Sequence, residues 1–212
     1  MITIKGILSA NRVVPIVTLE RTEDIVPICE ALLEGGIKVI EVTLRTKIAL
    51  AAIGEAAKRF PDLAVGAGTL VKPEQVLQVI DMGAQFGVSP GSTPALLEAV
   101  EASCFPFLPG GAIVSEFMSL DARGFNILKF FPAVPSGGLS FLKSIAPPLS
   151  KIEFCPTGGI TEQNVADYLA LHNVIAVGGS WFVNPERIRR RAWNEITTDA
   201  SVLSKKFSKG VL

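Results

Sequence analysis

The sequence predicts an α/β fold, a single (β/α)8 TIM barrel entered by a short N-terminal helix or arm. Three observations carry that reading. Short apolar runs alternate with longer amphipathic ones eight times along the 212 residues. The connections between them are only a few residues long. Hydrophobic residues make up 49% of the chain and charged residues 19%, as expected of a parallel sheet covered by barrel filling on one face and helices on the other. No Ser/Gly-rich linker or block of charge divides the chain, so residues 1–212 read as one domain.

The units follow in order. Residues 13–18 read as the first strand, with a helix over 22–33 that stops at Gly35-Gly36. Residues 39–44 are the second strand, followed by an Ala-rich helix over 47–59 that closes at Phe60-Pro61. Strand 64–68 precedes helix 73–82, and strand 85–89 precedes helix 94–102. Strand 105–108 leads to helix 114–122, 127–131 to 139–145, and 152–155 to 162–170, with 174–177 as the last strand. Each crossover helix returns the chain to the same end of the sheet, which makes neighbouring strands parallel. Eight such units close into a barrel, whereas five or six favour an open doubly wound sheet. The residues before 13 are expected to form the short helix or arm that closes the barrel floor. Chemistry is expected at the carboxyl ends of the strands.

Composition excludes several functions. Twenty basic and twenty acidic residues leave no net charge, so no phosphate backbone is implied as a partner. The cluster Arg187, Arg189, Arg190 and Arg191 reads as a solvated helix face. Cys29, Cys104 and Cys155 are far apart in apolar surroundings and read as buried reduced thiols of a cytoplasmic protein. Lys5 and Arg12 interrupt the first apolar residues, so no signal peptide is expected, and no apolar run suggests a membrane span. His172 is the only histidine and precedes the last strand. With no histidine cluster, grouped carboxylates or nucleotide fingerprint, neither a metal nor a bound cofactor is expected.

Lys129 is the most informative residue. It lies within Ile127-Leu128-Lys129-Phe130-Phe131, a run apolar enough to be a core strand, and lysine is almost never buried without a reason. Desolvation disfavours an ammonium and favours the neutral amine that attacks carbonyls. The alternative is an amine that snorkels to the barrel mouth or pairs with a carboxylate. In Glu41-Val42-Thr43-Leu44-Arg45 the period-2 rule places Glu41, Thr43 and Arg45 on one face. A glutamate there can move protons and an arginine can hold a substrate carboxylate. A structural ion pair remains the alternative.

Two glycine pairs follow the last strands: Thr157-Gly158-Gly159 and Gly178-Gly179-Ser180. Loops at these positions often bind phosphate, because glycine lets backbone N–H groups approach the oxygens and a helix N-terminus adds partial positive charge. Plain turn geometry is the alternative. Gly66-Ala67-Gly68-Thr69 offers a hydroxyl after the third strand. Ser89-Pro90-Gly91 and Leu108-Pro109-Gly110-Gly111 read as wall-shaping turns.

Taken together, Glu-Val-Thr-Leu-Arg-Thr (41–46), Gly-Ala-Gly-Thr (66–69), Ser-Pro-Gly (89–91), Leu-Lys-Phe-Phe-Pro-Ala (128–133), Phe-Cys-Pro-Thr-Gly-Gly-Ile (154–160) and Gly-Gly-Ser-Trp (178–181) resemble the 2-keto-3-deoxy-6-phosphogluconate (KDPG) and 4-hydroxy-2-oxoglutarate aldolases. The resemblance runs from about residue 13 to 183. It implies a class I aldolase in which Lys129 forms the Schiff base and Glu41 is the general acid/base. It further implies that Arg45 and Thr69 bind the keto-acid carboxylate and that Pro90 and Phe131 line the pocket wall. Thr157, Gly158, Gly159, Gly179 and Ser180 match the phosphate end. A homotrimer without metal is implied, yielding pyruvate and glyceraldehyde 3-phosphate. The loop at 109–112, the helix with Asp121 and Arg123, and the tail from Glu186 depart from the pattern, which leaves substrate preference and assembly open. Alternative substrates are 4-hydroxy-2-oxoglutarate and the phosphogalactonate epimer. The alternative from another class is a non-catalytic barrel that binds a phosphate ligand.

Overall fold

The computed structural model describes residues 3–207. A short helix α1 (Ile4–Ala10), capped by the Thr3 hydroxyl, which accepts from Gly6 N–H, leads into strand β1 (Val13–Val17). A 3-10 turn over Thr22–Asp24 and helix α2 (Ile25–Glu34) return the chain to β2 (Val39–Thr43). Next come α3 (Ala49–Arg59), β3 (Ala64–Gly68), α4 (Glu74–Asp81) and β4 (Phe86–Val88). Helix α5 (Pro94–Ser103) starts as its sequence dictates: Thr93 caps Leu96 N–H, and Pro94 occupies the first turn, where its missing N–H costs nothing.

The next strand is in two pieces, β5 (Phe107–Leu108) and β6 (Gly110–Gly111). Helix α6 (Val114–Ala122), β7 (Ile127–Phe130), α7 (Gly138–Ile145), β8 (Glu153–Pro156), α8 (Val165–Leu169) and β9 (Val177–Gly179) follow. Helices α9 (Pro185–Arg189) and α10 (Trp193–Phe207) complete the described chain.

The strands form two parallel sheets, one ordered β5-β4-β3-β2-β1-β9 and the other β6-β7-β8. Every registered pair is parallel, and isolated parallel bridges at Phe154–Val174 and Thr157–Gly178 lie between β8 and the β9 segment. The split at Pro109 has a chemical cause. Proline has no N–H to give the ladder, so Leu108 pairs back to β4 while Gly110 pairs forward to Lys129 of β7. Gly110 and Gly111, expected as a turn, therefore belong to the sheet.

Burial explains why Lys129 faces inward. Leu128 and Phe130, its neighbours on β7, are fully buried. Phe130 meets Phe117 of α6 edge-on at 6.2 Å and stacks on Phe141 of α7 at 5.1 Å. Phe117 in turn contacts Phe154 of β8 at 5.0 Å. Such pairs add about 0.5–1.5 kcal/mol each beyond area burial, and they hold the outer face of β7 against the helices. Alternation then turns Lys129 to the opposite side.

Other expectations need revision. The helix expected over 162–170 is shorter, at Val165–Leu169, and the last strand is Val177–Gly179, with Val174 contributing only a bridge. Cys29 and Cys155 are buried, but Cys104 is exposed. It ends α5 in the left-handed conformation. The arginine cluster is not uniformly a solvated face. Arg189, Arg190 and Arg191 are exposed, whereas Arg187 is half-buried, donating to the Phe182 carbonyl and pairing with Asp199 of α10. The tail is thus a packed element. Helix α10 lies so close to the end of α2 that a methyl at Gly35 would stand 2.4 Å from Ala200 Cβ, and Ser204 Oγ donates to the Gly35 carbonyl at 2.6 Å.

Candidate active site

The carboxyl ends of β1, β2, β7, β8 and β9 meet around a cavity of about 170 Å³. Its lining includes Glu41, Arg45, Lys129, Phe131, Thr157, Gly158, Gly159, Gly179 and Ser180. Sequence reasoning named all of these. It missed Ile16 and Ile160, which also line the space. A single apolar residue at a strand end carries no chemical signature, and only the third dimension selects these two.

Lys129 and Glu41 come from strands 88 positions apart yet meet at 3.2 Å, Lys129 Nζ donating to Glu41 Oε1. Lys129 is 5% exposed and Glu41 3%. All five residues of β2 are buried, so Glu41 has no route to bulk solvent except through the cavity. The pairing with a carboxylate is present, and the amine lines the cavity as well. Its Nζ also lies 5.5 Å from the centroid of the Phe131 ring, within the range of a cation–π contact. Directly across the ladder from Lys129 stands Cys155, whose thiol burial pushes up to about 12, with the nearby Lys129 charge working against the shift. Cys155 is therefore a protonated filler beside the pair rather than a nucleophile.

Arg45 stands two residues beyond β2, exposed at the mouth, and donates from Nε to Thr69 Oγ1 at 3.3 Å. Thr69 holds a φ of 64°. A β-branched residue rarely adopts this left-handed conformation, and such strained backbone is enriched at functional sites. Thr69 does not line the cavity itself and reaches it through Arg45. Thr43 shares the expected face but is engaged elsewhere, by Thr18 at 2.8 Å. Pro90 stands apart from the cavity; it packs against Gly110, where a methyl would come within 2.5 Å of its carbonyl.

The opposite end of the cavity is built from main chain. Gly158 and Gly159 take φ values of 98° and 82°, which other residues adopt only with strain. The loop after β7 buttresses them: Ala133 N–H donates to Thr157 O at 2.7 Å and Val134 N–H to Gly158 O at 3.0 Å. With the carbonyls tied from behind, the N–H groups of Gly159 and Ser180 have no hydrogen-bond acceptor among the described residues. A methyl at Gly178 would stand 2.5 Å from Thr157 Oγ1 and 2.9 Å from Ile16 Cδ1, so this floor admits no side chain. Helix ends contribute less than expected. Helices α8 and α9 have five residues each, and α9 is already capped by Asn184.

Away from the cavity, His172 is exposed in the turn before Val174. Among the described residues no group of three or more His, Cys, Asp or Glu is placed to hold a metal ion. No helix among them is long and apolar enough to cross a membrane.

A buried amine beside a carboxylate, with an arginine at one end and backbone N–H groups at the other, can act on the carbonyl of an anionic substrate through an imine. Comparison with known proteins specifies the class. The family described as KDPG and KHG aldolase matches residues 4–198. The chain is 46% identical over 191 residues to the 2-dehydro-3-deoxy-phosphogluconate aldolase of Dickeya dadantii, covering 90% of each. It is 44% identical over 193 residues to the KHG/KDPG aldolase of Escherichia coli K12, covering 91% of each. The crystal structure of the KDPG aldolase of Legionella pneumophila, with pyruvate captured as a covalent carbinolamine intermediate, superposes with a TM-score of 0.92 at 43% identity, covering 94% of this chain and 97% of that one. The chain belongs to the KDPG and KHG aldolase family.

Proposed function

We propose that the protein is a class I aldolase that cleaves 2-keto-3-deoxy-6-phosphogluconate to pyruvate and glyceraldehyde 3-phosphate. The observation that carries this reading is the Lys129–Glu41 pair, 3.2 Å apart and buried against the cavity. Lys129 Nζ adds to the C2 carbonyl of the substrate, and loss of water gives an iminium. Glu41 accepts the proton of the C4 hydroxyl as the C3–C4 bond breaks. Its electron pair passes to C3 as an enamine, and glyceraldehyde 3-phosphate leaves. Protonation at C3 and hydrolysis then release pyruvate and free the lysine. Arg45, aided by Thr69, holds the keto-acid carboxylate. Phe131 forms a wall beside the amine, and Pro90 supports Gly110 from outside the cavity. Thr157, Gly158, Gly159, Gly179 and Ser180 receive the phosphate.

A second substrate is favoured by one feature. The residues lining the phosphate end carry no lysine or arginine side chain. No fixed cation commits this end to a phosphate dianion, so the site also admits a substrate that lacks the phosphate, 4-hydroxy-2-oxoglutarate, whose second carboxylate is attached to C4 and stops short of this end.

We further infer that the two parallel sheets are parts of one closed (β/α)8 barrel. Residues 107–111 contribute to both sheets on one side, and the bridges beside β8 join them on the other. Assembly as a homotrimer is in keeping with the exposed Val114 and Met118, one turn apart on α6.

Borohydride reduction in the presence of pyruvate, followed by peptide mapping, tests the chemistry. A pyruvate-derived adduct on Lys129 is expected. An unmodified Lys129 in a protein that otherwise turns over substrate overturns the assignment.

A further inference from the structure

Gly66 and Gly68 of β3 project toward the same face of the sheet by strand alternation. Each leaves a space that a neighbour fills. A methyl at Gly66 would fall 2.2 Å from Phe86 Cζ. A methyl at Gly68 would fall 2.2 Å from Glu41 Oε1, 2.7 Å from its Cγ and 2.8 Å from its Cδ. Oε1 is the same oxygen that accepts from Lys129 Nζ. The backbone itself does not demand glycine at 68, because Gly68 is outside the left-handed region that holds Gly158 and Gly159. What the position cannot accept is a side chain where the Glu41 carboxylate lies.

We propose that Gly68 is a positioning residue for Glu41: its missing side chain opens the space through which the carboxylate reaches Lys129. The inference rests on the reading above, in which Glu41 moves protons for substrate bound to Lys129. A methyl at 68 meets the far end of a flexible side chain rather than backbone. The fold therefore survives while the carboxylate is displaced. Lys129 is untouched and still forms its imine, but the proton transfers of cleavage and reprotonation slow.

The test is a double-mutant cycle with Gly68→Ala and Glu41→Ala, reading kcat, KM, the pH profile of kcat and borohydride trapping. G68A should lose about tenfold or more in kcat, since a positioned acid/base group contributes about 10²–10⁴. KM should change little, the pH profile should shift, and the pyruvate adduct should persist. In E41A the carboxylate and the Cγ that the methyl would meet are both gone. Adding G68A to it should then cost no more than about twofold, the scatter of independent sites. Turnover of G68A at the parent rate, or an equal loss in both backgrounds, overturns the role of Gly68. If G68A does not fold, G68A/E41A must fold as E41A does, because the atoms that the methyl meets are gone. An unfolded G68A/E41A beside a folded E41A also overturns it. Trapping separates this failure from that of the function. No adduct in the parent protein defeats the aldolase reading, whereas adducts in both proteins with unchanged turnover defeat only the claim for Gly68.

Discussion

Replacing Lys129 by methionine should destabilise the protein, and replacing Glu41 by methionine as well should restore it. The two side chains are 7% and 4% exposed and 3.2 Å apart. Taking two charges out of water costs several kcal/mol per ion, offset only while each faces the other. K129M keeps the length and apolar stem of lysine but leaves the Glu41 carboxylate buried without its cation. Breaking one side of a buried pair costs about 3–5 kcal/mol. At about 2–4 °C per kcal/mol for a domain of this size, the melting temperature should fall by roughly 6–20 °C. K129M/E41M replaces the pair with apolar volume, a change that is neutral or stabilising by about 1–4 kcal/mol in comparable cases. Its melting temperature should equal or exceed that of the parent.

The assay is urea and thermal unfolding of the three proteins at neutral pH, alongside turnover. Neither variant should show activity. The decisive comparison is the order of stability, double variant at or above parent and K129M below both. A K129M as stable as the parent would refute the reasoning, because the carboxylate would then have a partner or a solvent path that the geometry does not provide. The expected order has a functional meaning: the charged pair is retained for chemistry at a cost in stability.

Three further predictions concern the mouth and the thiols. Arg45→Ala should raise KM for the keto acid by about tenfold or more with kcat nearly unchanged, since a hydrogen bond to a charged group contributes about 1.5–3 kcal/mol of binding; steady-state kinetics check this, and a fall in kcat at constant KM would count against it. A disulfide-exchange reagent at pH 8 should modify Cys104 in the native protein and all three cysteines after denaturation, because burial pushes Cys29 and Cys155 up to about 12 while Cys104 is exposed. For the same reason stability should be insensitive to these two thiols below pH 9 and fall between about 9 and 12, where the unfolded chain ionises them and the folded one does not. Urea titrations across that range should show the decline, and C29A/C155A should reduce it.

Much of the fold was legible because it depends on local pattern. The strands at 64–68, 85–89 and 127–131 overlap the observed β3, β4 and β7, since apolar runs bounded by glycine, proline and amphipathic stretches are signals within a few residues. What failed depended on partners. Gly110 and Gly111 look like a turn until β7 lies beside them to be paired. Residues 174–177 are the apolar segment, but the ladder to β1 is made at Val177–Gly179. Helix α10 is mostly polar, and its place is set by the approach of its own Ala200 and Ser204 to Gly35, which is distant in sequence.

The site divides along the same line. Lys129 was conspicuous because a charge inside an apolar run is an anomaly visible in five residues, and Glu41 and Arg45 stood out by alternation on one short strand. Their being partners was not legible: 88 positions separate Glu41 from Lys129, and nothing in either segment refers to the other. Glycine was harder still. Gly158 and Gly159 carry positive φ and sit in a recognisable pair, whereas Gly68 has an ordinary backbone and is glycine only because of the carboxylate lying over it. The first kind is a property of the chain where it stands. The second is a property of the space between strands, so it becomes visible only when the atoms that would collide are in place. The residues that position the chemistry are therefore the last to be read, although they occupy the same short motifs as the residues that perform it.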